Sequence, residues 1–202
     1  MTVFTIDNSD PNRDVIKNLV NSIVLAFSSD PIVRWMYPNQ EQYQKHFPNF
    51  VKTFASRAFD HNTVYCTPDY AGGAFWFLPQ IEPDTDAVIE LIQQTVSEAI
   101  QEDVFTLFEQ TSHFHPQQSY WYLGILGIKP SQQNKGYGSA LIKQVLAHCD
   151  RHSQLAYLES SNPANLPFYQ RHGFEIMGKI QAGSSPTMFP MVRYPPQATI
   201  VV

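Results

Sequence analysis

Residues 129–141 read KPSQQNKGYGSAL, with Gly136 and Gly138 one residue apart. The stretch follows an apolar run and opens an amphipathic one. A glycine turn between a strand and a helix can hold an anion: its backbone N–H groups converge, and the positive end of the helix adds to them. Two familiar owners of such a turn fail on specific residues. A nucleoside triphosphate loop needs Lys and then Ser or Thr directly after its last glycine. Here Ser139 follows Gly138 with no Lys between them. A dinucleotide turn needs a third glycine for close helix packing. Leu141 holds that position, and no acidic residue stands at a strand end about 20 residues on. What remains is Gln133-x-x-Gly136-x-Gly138, which a plain strand-turn-helix connection could also carry.

The elements around the turn are legible. YWYLGILGI (120–128) is the strongest strand pattern in the chain, and Gly124 and Gly127 within it mark bulging or close approach. From Gly138 to about Arg151 the pattern is an amphipathic helix. Leu141, Val145, Leu146 and Cys149 turn inward; Lys143, Gln144, His148 and Asp150 turn out. LAYLE (155–159) reads as a strand, 164–171 as a short helix, and GFEIMG (173–178) and MFPMVR (188–193) as further strands.

Upstream, VFTI (3–6) reads as a strand, followed by a helix with Asp10 as N-cap and Pro11 in its first turn. SSDPIVRWMYPN (28–39) breaks that helix and carries a short second one. Residues 40–58 predict another helix. TVYCT (63–67) and AGGAFWFLP (71–79) predict two strands joined by a turn around Pro68 and Asp69. The stripe Val88, Ile89, Ile92, Val96, Ile100, Val104, Leu107 and Phe108 predicts helix over 81–110, split in two and ended by Pro116. The tail 194–202 reads as an edge extension or a loose end. There is no internal repeat, low-complexity tract or linker, so one α/β domain over residues 1–202 is the simplest reading.

Composition narrows the classes. The chain has 202 residues, of which 43% are apolar, 13% aromatic and 15% charged. That suits an aromatic-rich globular domain. Its net charge is −5, with no basic block, which argues against a nucleic-acid partner. Cys66 and Cys149 lie far apart without metal-ligand spacing, so two free thiols and no metal are expected. No apolar run reaches the roughly 20 residues of a bilayer span, and MTVFTIDNSD lacks the marks of a leader. The expectation is a cytoplasmic protein with no membrane partner. Six of the nine glycines fall between Gly124 and Gly178, so close backbone approach is concentrated in the C-terminal half.

A second block stands downstream: LESSNPANLPFYQRHGFE (158–175), with Asn162, Asn165, Phe168-Tyr169 and Gly173-Phe174. A helix and a strand separate it from the turn. The two blocks in this order, with Ile128-Lys129-Pro130 leading in, resemble motifs A and B of the GCN5-related N-acetyltransferases (GNAT). Asn134 departs from the pattern, where many members have glycine; Asn tolerates left-handed backbone better than most residues. AFSSDPIVRWMYP (26–38), His115-Pro116 and Trp121-Tyr122-Leu123 further resemble the subgroup that includes puromycin N-acetyltransferase. Residues 40–110 match that subgroup only in outline.

The resemblance implies a mixed central sheet of about six to seven strands, with one splayed pair and flanking helices. It implies acetyl-coenzyme A as the acyl donor. Main chain at Ile125, Leu126, Gly127 and Ile128 would pair with the pantetheine arm. Gln133, Asn134, Lys135, Gly136, Tyr137, Gly138 and Ser139 would hold the pyrophosphate, with Lys135 adding a charge or standing in solvent. Asn165, Phe168 and Tyr169 would close on the pantetheine end. Residues 119–194 would form the coenzyme half, and 1–118 mainly the acceptor half. The acceptor would be a small-molecule amine, and the protein a monomer or homodimer.

The reaction so implied is direct attack of a neutral amine on the thioester. It needs positioning, oxyanion stabilisation and a proton for the leaving sulfur. Tyr169 resembles the general acid. The base stays open between Glu159 at a strand end, His115, and a water chain. Tyr120 stands where several subgroup members carry His. Phe27, Asp30, Trp35, Trp76 and Trp121, with Tyr37 and Phe77, are acceptor-pocket candidates. Asp30 could recognise a cationic amine or cap a helix before Pro31. The competing reading is a non-catalytic acyl-CoA-binding module.

Overall fold

A computed structural model describes residues 2–6 and 13–196. The expected cap at Asp10 and Pro11 lies outside them, as does the end of the tail. The strands are β1 (Phe4–Ile6), β2 (Val64–Cys66), β3 (Gly72–Phe77), β4 (Tyr120–Ile128), β5 (Leu155–Ser160), β6 (Glu175–Ile176) and β7 (Phe189–Arg193). The helices are α1 (Arg13–Ala26), α2 (Pro31–Met36), α3 (Gln40–Phe54), α4 (Ser56–Asp60), α5 (Thr85–Thr95), α6 (Glu98–Ser112), α7 (Tyr137–Arg151) and α8 (Leu166–Gln170).

The seven strands form one mixed sheet in the order β1-β2-β3-β4-β5-β7-β6. Every pairing is antiparallel except β4 with β5. That parallel pair is brief: Tyr120, Trp121 and Tyr122 meet Leu155, Ala156 and Tyr157, and then the strands part. From Leu123 onward, β4 has no strand partner on its β5 side among the described residues. The main-chain groups along that edge are left to find other partners.

Two cores flank the sheet. Apolar faces of α1 through α6 cover one side, around Leu19, Ile23, Val51, Phe75, Ile92 and Leu107. On the other side, α7 and α8 pack Leu141, Ile142, Val145 and Tyr169 against Trp76, Trp121 and Leu158. A bulge at Gly124 decides which side each β4 residue serves. Leu123 pairs with Trp76 but Ile125 with Phe75, so Gly124 is the extra residue. A Cβ there would stand 2.7 Å from the rings of both Phe54 and Phe77, so only glycine fits. The extra residue inverts the alternation beyond it. Trp121 and Leu123 belong to the α7 side, and Ile125 to the other.

Three local expectations change. The 40–58 helix divides at Ala55, where φ −90° and ψ 4° open a new turn. The 173–178 strand shrinks to Glu175–Ile176, since Gly173 is left-handed at φ +86°. His148 and Asp150 are half-buried: His148 packs edge-on to Trp121, and Asp150 binds Arg193 at 2.7 Å.

Candidate active site

The gap between β4 and β5 opens into a cleft of about 570 Å³. Leu126, Gly127 and Ile128 of β4 line one wall. The turn supplies the floor through Gln133, Asn134, Gly136, Tyr137, Gly138 and Ser139. Its backbone bends sharply: Asn134 has φ +60° and Gly136 φ +84°. Gly136 is the N-cap of α7, so the first amides of that helix, which by geometry lack intrahelical acceptors, face outward. Gln133 braces the turn by donating from Nε2 to the Ile128 carbonyl at 3.2 Å. Asn165, Phe168 and Tyr169 line the opposite side. Lys135 is exposed, bonds Gln132 at 3.0 Å, and stands outside the cleft lining.

A second cavity, of about 720 Å³, lies on the helical side of the sheet. Tyr122, Gly124 and Ile125 line it from β4, and Phe27 lines both spaces. Consecutive residues Ile125 and Leu126 thus face one space each, so the two adjoin at the bulge. Asp30 and Ser161 border the same junction, joined by a 2.5 Å bond from the Ser161 hydroxyl to Oδ2 of Asp30. The other Asp30 oxygen accepts the Val33 N–H at 3.1 Å and so caps α2. Burial pushes the Asp30 carboxyl up against the bonds from Ser161 and Val33. It borders the smaller cleft, not the larger cavity.

Tyr169 is buried on α8, edge-on to Phe168 and Phe174. Burial first, and then the charge of Asp30, push its phenol above the usual range. Glu159 lines the larger cavity with its side chain 7% exposed. Its Oε1 lies 3.2 Å from His115 Nε2, and His115 Nδ1 lies 3.0 Å from the Tyr120 hydroxyl. Burial, then Glu82 and Glu159, push the Tyr120 phenol up to about 12. His115 thus bridges the Tyr120 hydroxyl and the Glu159 carboxylate through its two ring nitrogens.

Tyr37 and Phe27, two of the candidates, line the larger cavity. Trp35, Trp76 and Trp121 do not. Trp35 donates its indole N–H to Ser184 at 3.1 Å. Trp76 and Trp121 occupy the α7-facing positions of β3 and β4, on the wrong side of the sheet. Strand alternation is the reason: Phe75 and Phe77 face the helical side, and Trp76 between them cannot.

Sequence reasoning passed over Tyr122, Tyr157, Glu82, Glu109 and Ser161. A period-2 count would have found Tyr122, two residues from Tyr120, and Tyr157, two from Glu159. Glu82 and Glu109 carried no signal, because each reads as an ordinary exposed helix or loop acid. Cys66 and Cys149 are both buried and free, with burial pushing each thiol up to about 12. Neither is poised as a nucleophile.

Comparison with known proteins fits this geometry. Residues 98–176, from α6 to β6, match the family model described as an acetyltransferase (GNAT) domain. Residues 98–176 thus carry a GNAT acetyltransferase domain, and the whole chain shares that fold. An uncharacterised N-acetyltransferase of Schizosaccharomyces pombe is 41% identical over 54 residues, 27% of this chain. That match spans only 22% of the relative's length. A Corynebacterium glutamicum structure, described as histone acetyltransferase HPA2 and related acetyltransferase, shares the fold. It has 21% identity, 98% coverage of both chains and a TM-score of 0.64. A chain of the NatC complex, solved with Gag peptide and CoA, is 13% identical. It covers 97% of this chain and 100% of its own, with a TM-score of 0.56. No helix among the described residues is long and apolar enough to cross a membrane.

Proposed function

We propose that this protein transfers the acetyl group of acetyl-CoA to the nitrogen of a small-molecule amine, by direct attack and without a covalent enzyme intermediate. One observation carries the reading. The open edge of β4 runs from the glycine turn to the bulge, where the cleft adjoins a second cavity; Tyr169, the acid candidate, lines the cleft and Glu159, the base candidate, lines the cavity. The cleft, at about 570 Å³, suits the donor. The turn's amides would take the pyrophosphate, and the β4 edge the pantetheine arm. The cavity of about 720 Å³ suits the acceptor.

In this mechanism Glu159, oriented by His115, takes a proton from the amine directly or through water. The nitrogen attacks the carbonyl carbon, and a β4 main-chain N–H faces the developing oxyanion. The C–S bond then breaks and the sulfur takes its proton from Tyr169, while the second proton of the attacking nitrogen leaves to solvent, from which Tyr169 is reprotonated. A free thiol titrates near ~8.5 and a phenol near ~10, and burial raises Tyr169 further. Full transfer ahead of bond breaking is therefore uphill, so proton and sulfur must move together.

The test is thiol release from acetyl-CoA across a panel of amines, with coenzyme affinity measured in parallel. Turnover with at least one amine, lost in Tyr169→Phe, is the expected result. Tight coenzyme binding with no turnover on any amine would instead assign the protein to acyl-CoA binding alone.

A further inference from the structure

The acceptor cavity has a chemistry of its own. Phe47, Phe50 and Phe54 of α3 form a ladder of near-parallel rings along one wall, with successive centroids 5.9 Å apart. Phe105 and Phe108 of α6 also line the cavity, and both are only half-buried, so apolar surface is left uncovered. The charge pattern is one-sided. Among the described lining residues the carboxylates are Glu82, Glu109 and Glu159, beside His115 and the phenols of Tyr37 and Tyr122, with no Lys or Arg. Glu82 and Glu109 are exposed, whereas Glu159 is buried beside His115.

We infer that the acceptor is an amine on a bulky apolar body that bears no anionic group. The inference rests on the amine-transfer reading and names the substrate class of the same site. Three physical arguments carry it. Half-exposed rings line a cavity of about 720 Å³. They gain by covering, which an apolar body does and a small hydrophilic amine does not. A carboxylate or phosphate on the acceptor would be desolvated with no cation to pair it, a costly burial. It would also meet the field of three carboxylates. A protonated amine, by contrast, is drawn in by Glu82 and Glu109 at the opening and then meets Glu159, which must take its proton before attack.

The experiment uses matched pairs that differ only by a carboxylate: phenethylamine with phenylalanine, and tryptamine with tryptophan. Equilibrium binding to the CoA-loaded protein is measured for each, so that the result does not depend on turnover. Each amine is expected to bind about a hundredfold or more tighter than its amino-acid twin. In the double variant Glu82→Gln, Glu109→Gln, amine binding is expected to weaken several-fold at low salt, with the difference shrinking as salt is added. Equal binding of the twins, or failure of both amines to bind, overturns the inference. Thiol release from the same mixtures judges the chemistry separately: amines that bind but are not acetylated would overturn the transferase reading and leave the pocket's class standing.

Discussion

Glu159 Oε1 lies 3.2 Å from His115 Nε2, on the wall of the larger cavity. The pair is held from behind by Tyr120, 3.0 Å from His115 Nδ1. This ordering separates two jobs. Glu159 reaches the cavity and can take a proton; His115 fixes the direction of its carboxylate.

Glu159→Gln should therefore lower kcat about a hundredfold, the usual scale for a lost general base, with coenzyme affinity changed less than twofold. Tyr120→Phe should cost less, about threefold to tenfold in kcat, because it frees the ring without removing the base. Steady-state kinetics with a saturating amine give both numbers. Full activity in Glu159→Gln would pass the role to a water chain.

Tyr169 yields a prediction about pH. Its phenol is raised by burial and by Asp30, so it stays protonated throughout pH 6–9. Tyr169→Phe should lower kcat by about a hundredfold at every pH in that range and leave the shape of the profile unchanged. A profile that loses its alkaline limb in the variant would show that Tyr169 titrates there after all.

The tyrosines behind Glu159 should make the fold sensitive to alkali. Tyr122 and Tyr157 are both raised, by burial first and then by Glu159. The folded chain therefore holds protons that the unfolded chain releases above pH ~10. Stability present below that pH is lost as pH climbs toward the folded values. Urea midpoints should fall steeply above pH ~10, and less steeply in Tyr157→Phe.

The sequence made some of this legible and hid the rest for definable reasons. The turn, α7 and the strand before it were readable because glycine spacing and apolar period are local. Even the bulge was signalled, since a glycine inside YWYLGILGI has few other uses. The lining of the larger cavity was not legible in the same way. Which face of β3 and β4 a tryptophan serves depends on register and on that one bulge, so Trp76 and Trp121 looked available when they are core. Glu82 and Glu109 become cavity residues only after α5 and α6 dock on the sheet.

The glycine of the turn gives the sharpest test of the donor side. Gly136 holds φ +84°, and a Cβ there would meet nothing within 4 Å. The objection to a side chain is thus backbone strain and obstruction of a ligand, not a clash within the fold. Gly136→Ala adds about 1–2 kcal/mol of left-handed strain, and Gly136→Val adds bulk in front of the α7 amides. Alanine should lower the thermal midpoint by a few degrees and weaken coenzyme binding modestly. Valine should add at least a tenfold loss of coenzyme affinity, while amine binding to the larger cavity stays the same. Calorimetric titration of both variants with coenzyme A decides it: unchanged affinity in Gly136→Val would remove the pyrophosphate from this turn.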